Sequence, residues 1–302
     1  MLRFDNEVVV VTGAGGGLGR AYALELARRG AKVVVNDLGV APNGQGTDAA
    51  PAARVVKEIQ HAGGEALANA DSVSTREGGH AIITAALNQW GRVDAVIHNA
   101  GILRDASFAK LDITDLEQIL DVHLRGAIYV GQPAFAAMKE SRRGGRLVFT
   151  TSSSGLWGNF GQASYAIAKM GVVGLVNVLA IEGAKAGIKA NAIAPTAATR
   201  LITGEARGDE HPIAAAKVAA TGVVLAHRDC PSTGEVFQSG GGWVTRVARP
   251  IAGGFLANGP DAADQLLAHW QEVREGGWRE PKTAVEFGAM LQQKLGRDDL
   301  WS

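Results

Sequence analysis

The sequence has a single cysteine, Cys230, and only seven scattered histidines among its 302 residues. One cysteine excludes an internal disulfide and any metal site built on several thiolates. No two histidines stand at metal-ligand spacing, so no metal is expected. Neither sign of charge is in excess, because thirty basic side chains balance thirty acidic ones. Without a basic surplus, nucleic acid and anionic membranes are not expected partners, although phosphates can still be held locally. No run of about 18 apolar residues is free of charge, which argues against a membrane span. The start, Met1-Leu-Arg-Phe-Asp-Asn-Glu7, has no signal-peptide hydrophobic region, and the end, Asp299-Leu-Trp-Ser302, is not a peroxisomal tripeptide. A soluble, cytoplasmic protein is the resulting expectation.

A hydrophobic content of 46% is enough for a substantial core. Short β-rich runs alternate with helix-like segments. Strands are predicted at 8–12, 32–36, 66–70, 93–98, 146–151, 188–194 and 235–239. Helices are predicted after Gly19 as far as Arg29, at 54–61, 81–90, 114–139 and 163–185. This alternation implies right-handed βαβ units, hence an α/β fold of Rossmann type: a doubly wound parallel sheet with helices on both faces. Two stretches break the rhythm: residues 38–51 read as a loop, and 196–208 have weak periodicity and lie after a strand end, where open α/β sheets bind ligands. Past residue 240 the βα pattern stops, and helices are predicted at 261–275 and 283–295. The domain expectation is therefore a core over 1–240 and an extension over 241–302, packed on the core or on a partner subunit and not independent.

Thr12-Gly-Ala-Gly-Gly-Gly-Leu-Gly19 lies between the first strand and the first helix. Its glycines Gly13, Gly17 and Gly19 permit close approach of backbone N–H groups to a pyrophosphate at a helix N-terminus. The second strand ends at Asp37, eighteen residues past Gly19. A carboxylate at that offset accepts hydrogen bonds from an adenosine ribose diol and repels a 2′-phosphate, which favours NAD over NADP. Its bland alternative is a loop-capping aspartate. Asp71, after the third strand, is placed to meet the adenine amino group.

Of three tyrosines, only Tyr165 has a lysine four residues on, Lys169. On a helix the two share one face, one turn apart. A phenol with an ordinary pKa of about 10 is a poor base at neutral pH, and a nearby Lys⁺ is expected to favour the phenolate. Ser152, thirteen residues upstream, supplies a hydroxyl. Together they are the parts of a proton-transfer site.

With these motifs in this order, the chain resembles the short-chain dehydrogenase/reductase family over about residues 5–240. The matching runs are TGAGGGLG at 12–19, HNAG at 98–101, Ser152 and YAIAK at 165–169. The resemblance implies that Tyr165 is the general acid/base and that Lys169 lowers its pKa and holds the nicotinamide ribose. It implies further that Ser152 positions the substrate oxygen. Asn99, Ala100 and Gly101 would form a cofactor wall, with Leu18, Ser72 and Pro195 as further contacts. Three positions depart from the family pattern. His98 replaces the first Asn of NNAG, Thr196 follows Pro195 where Gly is frequent, and His123 stands where a relay Asn is usual. His123 either holds a water in the proton relay, titrating near neutrality, or merely fills the place.

Gly101-Ile-Leu-Arg-Asp105, Val122-His-Leu-Arg-Gly126, Gly158-Asn-Phe-Gly-Gln162 and Leu179-Ala-Ile-Glu-Gly183 carry a narrower likeness. They are similar to the (3R)-hydroxyacyl-CoA dehydrogenase domain of type 2 peroxisomal multifunctional enzymes, where His at position 123 is usual. The chain has no counterpart of their hydratase and sterol-carrier domains, so a stand-alone bacterial relative is expected. The likeness implies an NAD-dependent enzyme interconverting 3-hydroxyacyl-CoA and 3-oxoacyl-CoA. The rival readings are a hydroxysteroid dehydrogenase and a non-catalytic NAD-binding regulator. Trp157 and Phe160 are expected either to line the substrate side or to pack in the core. Arg104 and Arg200 are either CoA-phosphate contacts or surface charges. The family implies a homodimer or homotetramer through the helices at 114–140 and 163–185.

Overall fold

The structure, a computed structural model, describes residues 2–41, 43–199, 208 and 210–296. The strand β1 (Val8–Thr12) is a run of four valines and a threonine, all buried. So are β4 (Ala95–His98) and β5 (Gly145–Thr150). Strands buried at every position, without alternation, need cover on both faces, as in a parallel sheet. They form the centre of an eight-stranded sheet that also holds β2 (Lys32–Asn36), β3 (Glu65–Asn69), β6 (Ile188–Thr196), β7 (Val236–Gly240) and β8 (Trp243–Val247). Their order is β3-β2-β1-β4-β5-β6-β7-β8, and every pair from β3 to β7 is parallel. β8 follows β7 across the two-residue connection Gly241-Gly242, both at positive φ, a hairpin that turns it antiparallel.

The crossovers cover both faces. On one lie α1 (Gly17–Arg28), α2 (Ala50–His61) and α8 (Ala215–Ala226), closing the larger core around Phe4, Tyr22, Leu26, Val33 and Ile59. On the other lie α3 (Arg76–Trp90), the pair α4 (Ile113–Leu120) and α5 (Gly126–Ser141), and α7 (Ala163–Gly183). A short α6 (Ser153–Trp157) precedes α7. The helix expected over 114–139 is present but not uniform, because Asp121–Arg125 forms a π turn between α4 and α5. Such turns are rare and concentrate at functional sites.

Among the described residues, two helices escape the periodicity reading. α8, Ala-Ala-Lys-Val-Ala-Ala-Thr-Gly-Val-Val-Leu-Ala, is small or apolar on nearly every side and is largely buried, so it shows no polar stripe to detect. α6 is a single turn. By length and composition, Ala163–Ala186 is apolar enough to cross a membrane. The charge-free criterion passes over it because Lys169 and Glu182 interrupt the run. In the fold it packs along β6 and α4, with Lys169, Val172, Val173 and Val176 buried.

The chain forms two compact units, residues 1–246 and 247–302. Most of β8 thus joins the first unit, beyond the expected limit at 240. Within the second unit lie α9 (Ala262–Ala268), α10 (Trp270–Arg274) and α11 (Ala284–Leu295). At the start of α11 the Thr283 hydroxyl accepts the Glu286 N–H at 3.1 Å, and the Glu286 carboxylate accepts the Lys282 N–H at 2.7 Å, so both side chains serve backbone donors at the helix entry. Phe255 and His269 stack with ring centroids 4.0 Å apart.

Candidate active site

Open parallel sheets bind ligands beyond the strand C-termini where the strand order reverses. Here that point lies between β1 and β4, and a cleft of ≈ 870 Å³ opens there. Its phosphate end is the turn after β1. Gly13 has φ +63°, and a Cβ on it would sit 2.7 Å from the Ala100 Cα. A Cβ on Gly19 would sit 2.0 Å from the Gly13 carbonyl oxygen. The Asn99 amide clamps the turn by donating to the carbonyls of Thr12 (3.2 Å) and Gly13 (3.3 Å). The cap of α1 is Gly16, with no side-chain cap and no acid in the first turn. Its first N–H groups are left for an anion, and Gly15, Gly16, Gly17 and Leu18 line the cleft. Gly19→Ala is expected to displace this turn and weaken binding of the reduced nicotinamide cofactor by more than about tenfold. A fluorescence titration showing an unchanged Kd would place the cofactor elsewhere.

At the adenosine end, the Asp37 carboxylate accepts the N–H of Gly15 and the N–H of Gly39, each at 2.7 Å. It therefore shapes the phosphate turn as well as facing the cleft. The Asp71 carboxylate accepts from the Asn69 amide (2.7 Å), and its carbonyl accepts from the Asn36 amide (2.9 Å). Asp71, Ser72, Ala100, Gly101 and Pro195 all line the same cleft.

At the chemical end, Ser152 caps α6, its Oγ accepting the Ser154 N–H at 3.1 Å. Tyr165 and Lys169 lie one turn apart on α7, both on the cleft wall. Burial pushes the Tyr165 phenol above its ordinary value, the neighbouring Ser152 hydroxyl pulls it down, and the charge of Asp105 pushes it up. Lys169 was expected to lower this value. Instead its Nζ donates to the Thr150 carbonyl at 2.7 Å and stands 5.6 Å from the Tyr165 ring centre. Burial brings the Lys169 ammonium itself down to about 7. Desolvation outweighs mutual attraction here.

His123 lies in the π turn with its ring edge-on to Tyr165, centroids 5.1 Å apart. Its Nε2 is 2.8 Å from the Ile102 carbonyl oxygen and 3.1 Å from the Ile102 nitrogen, while Nδ1 is buried with no partner among the described residues. A Cβ on Gly101 would reach within 2.5 Å of its Cε1, so that glycine makes room for the ring. The expectation that His123 titrates near neutrality is corrected. Burial, with the nearby Lys169 charge, holds it well below the ordinary histidine value, so it works as a neutral group.

Trp157 and Phe160 are exposed, at 65% and 90%, and lie outside the cleft lining. Gln162 instead lines the cleft beside Ser152. Its amide donates to Asp105 (2.9 Å) and its carbonyl accepts from Ser154 (2.7 Å) and Asn159 (3.1 Å). Asp105 is fifty-seven residues away, so no local spacing announces the pair. Thr12 was also missed as a site residue, although it opens the glycine motif. Its Oγ1 accepts the N–H groups of Asn99 and Ala100 at 3.0 and 3.1 Å. Arg104 is paired with Asp115 at 2.6 Å; Arg200 lies outside the described residues.

This sheet, with a phosphate turn and proton-bearing side chains on one cleft, defines a Rossmann-type, nicotinamide-dependent oxidoreductase. The chain belongs to the short-chain dehydrogenase family, whose profile, described as short chain dehydrogenase, matches residues 7–210. It is 44% identical to the peroxisomal multifunctional enzyme type 2 of Mus musculus, over 99% of this chain and 41% of that one. Against a short-chain type dehydrogenase/reductase of Mycobacterium tuberculosis it is 46% identical, over 90% of this chain and 95% of that one. The chain thus spans about two-fifths of the mouse enzyme. Among solved structures, the full-length type 2 multifunctional enzyme of Drosophila melanogaster superposes with a TM-score of 0.81 at 34% identity, covering 98% of this chain and 50% of that one.

These relatives overturn the cytoplasmic expectation, since the mouse enzyme and others from insect, amoeba and fungi are named as peroxisomal. Composition could not have decided this, because such addresses are read by receptors and leave charge balance and hydropathy unchanged.

Proposed function

We propose that this chain interconverts a 3-hydroxyacyl-CoA and the 3-oxoacyl-CoA with NAD⁺/NADH, using Tyr165 as the general acid/base. The observation that carries the chemistry is that Ser152, Tyr165 and Lys169 come together on the wall of the cofactor-sized cleft, Tyr165 and Lys169 one turn apart on α7. Two hydroxyls meeting there can hold one substrate oxygen between them. When bound, the nicotinamide gives or takes the hydride; the protein orients the reactants and moves the proton. Ser152 holds the carbonyl or alcohol oxygen, and Tyr165 exchanges the proton with it. Lys169 stands behind Tyr165 and reaches the cofactor ribose, while the unpartnered Nδ1 of neutral His123 accepts from a relay water.

The acyl-CoA assignment is supported by the sequence runs shared with the type 2 multifunctional enzymes. It is supported also by fungal relatives, 41% and 42% identical, named hydratase-dehydrogenase-epimerase. A hydratase that adds water to a conjugated enoyl thioester makes the 3-hydroxyl that such a dehydrogenase oxidises. The Asp37 carboxylate favours NAD by repelling a 2′-phosphate. A screen of 3-hydroxyacyl-CoA thioesters with NAD⁺ and NADP⁺ side by side should show turnover with NAD⁺, and Asp37→Asn should raise the relative rate with NADP⁺. No turnover of any thioester would discard the substrate class. A wild-type preference for NADP⁺ would discard the cofactor choice.

A hydroxysteroid is the second reading. It is favoured by the fold of a 7α-hydroxysteroid dehydrogenase solved with NADH and a 7-oxo bile acid, TM-score 0.70 at 26% identity over 80% of this chain and 95% of that one. Comparing kcat/KM for straight-chain and steroidal substrates separates the two.

A further inference from the structure

Gln162 brings a second chain segment to the chemical end of the cleft. Gly158 and Gly161, both at φ +80°, turn the chain ahead of α7. That turn is pinned to the segment after β4: the Ala106 N–H donates to the Gly161 carbonyl at 2.9 Å, and Ala106 and Gln162 pair in parallel. The Gln162 side chain is thereby set against Asp105. A carboxylate only accepts, so the atom that meets Asp105 at 2.9 Å is the Gln162 amide nitrogen. The amide oxygen accepts from the Ser154 hydroxyl at 2.7 Å and from the Asn159 amide at 3.1 Å. Turning the amide over would set its oxygen against the carboxylate and lose both donors, so its orientation is fixed. One of its two N–H bonds is committed to Asp105. The other has no partner among the described residues, and Gln162 lines the cleft. Ser154 ties this amide to the reacting end, because its N–H donates to Ser152 Oγ at 3.1 Å while its hydroxyl donates to Gln162.

We propose that the free N–H of Gln162 binds the thioester carbonyl oxygen of the acyl-CoA, and so selects substrates with a second carbonyl two carbons from the reacting oxygen. The inference rests on the acyl-thioester reading of this site. With the oxygen on C3 held by Ser152 and Tyr165, the carbonyl on C1 lies one methylene away, and Gln162 is the oriented donor held beside Ser152. A neutral amide suits an uncharged acceptor. The Asp105 carboxylate next to it disfavours a free carboxylate at the same place, so the site takes a thioester in preference to a 3-oxo acid. A lone ketone, as on a steroid ring, leaves this donor to water.

The test measures kcat/KM for a 3-oxoacyl-CoA and for the matching S-(3-oxoalkyl)-CoA thioether, in which C1 is a methylene. Wild type, Gln162→Met and Gln162→Ala are compared, with thermal melts to identify folded protein. The different intrinsic reactivity of the two ketones is common to all three proteins and cancels when their thioester/thioether ratios are compared. Both variants should cut the wild-type preference for the thioester by about tenfold, the size expected of one neutral hydrogen bond. Methionine keeps the length of the side chain and alanine does not, so agreement between them separates the lost donor from lost packing. A preference that is unchanged in either folded variant overturns the inference. So does an equal loss on thioester and thioether, which is the mark of a purely structural role. A wild type that turns over neither CoA substrate overturns the acyl-thioester reading and this inference with it, whereas an active wild type with undiminished preference in the variants overturns the inference alone.

Discussion

Tyr165→Phe is expected to lower kcat by about 10²–10⁴-fold while the KM for the cofactor hardly changes, because in the proposed reaction the phenol hydroxyl is the group that exchanges a proton with the substrate oxygen. The ring remains, so its packing against His123 and the apolar cluster around Ile102 and Ile119 is kept. Burial holds the wild-type phenol above its ordinary value, hence protonated at neutral pH. Reduction, which needs the acid, should therefore run well near pH 7. Oxidation, which needs the phenolate, should speed up as pH rises, and the phenylalanine variant should lose that rise. Single-turnover kinetics in both directions across pH 6–10 would check it. A variant as fast as wild type would show that the proton travels by another group.

Lys169→Met should abolish most activity and yet stabilise the fold. Lys169 is 2% exposed, and burial brings its ammonium down to about 7, far below the unfolded value of about 10.4. Below pH 7 the folded and unfolded chains both hold the proton, and the folded state carries the full cost of a buried cation. Between about 7 and 10 the unfolded chain keeps the proton and the folded one has released it. Wild-type stability should therefore rise with pH across that window, by up to about 1.4 kcal/mol per pH unit from this group. Methionine has similar length and no charge, so the variant should melt higher at pH 6–7 and lose this part of the rise. It does leave the Thr150 carbonyl without its 2.7 Å donor, which offsets some of the gain. Equal melting temperatures for both proteins at pH 6.5 and 9 would show that Lys169 is not held as a buried, discharged amine.

The parts of the site marked by short-range pattern were legible. The glycine turn, Asp37, Ser152, Tyr165 and Lys169 each stand at a strand end or on one helix face, where local spacing reports location. The parts created by contact between distant segments were not. Gln162 meets Asp105 across fifty-seven residues, and Thr12 meets His98 across eighty-six. The exposed Trp157 and Phe160 show the converse limit, since residue type alone does not say whether a side chain turns into a cleft. The π turn likewise left no trace in a sequence that reads as one continuous helix over 114–139.

The sequence by itself determined the α/β alternation, the parallel sheet and the glycine turn, Tyr165 and Lys169 that meet in one cleft, because periodicity, glycine placement and four-residue spacing act within a few neighbouring residues. Tertiary structure alone decided the protonation states. Whether Lys169 is charged, whether His123 and His98 titrate and whether Tyr165 rests as a phenol depend on desolvation and on backbone carbonyls brought in from other segments. These are properties of the assembled cleft, and at this site they outweigh the attraction between Tyr165 and Lys169 that their spacing suggested.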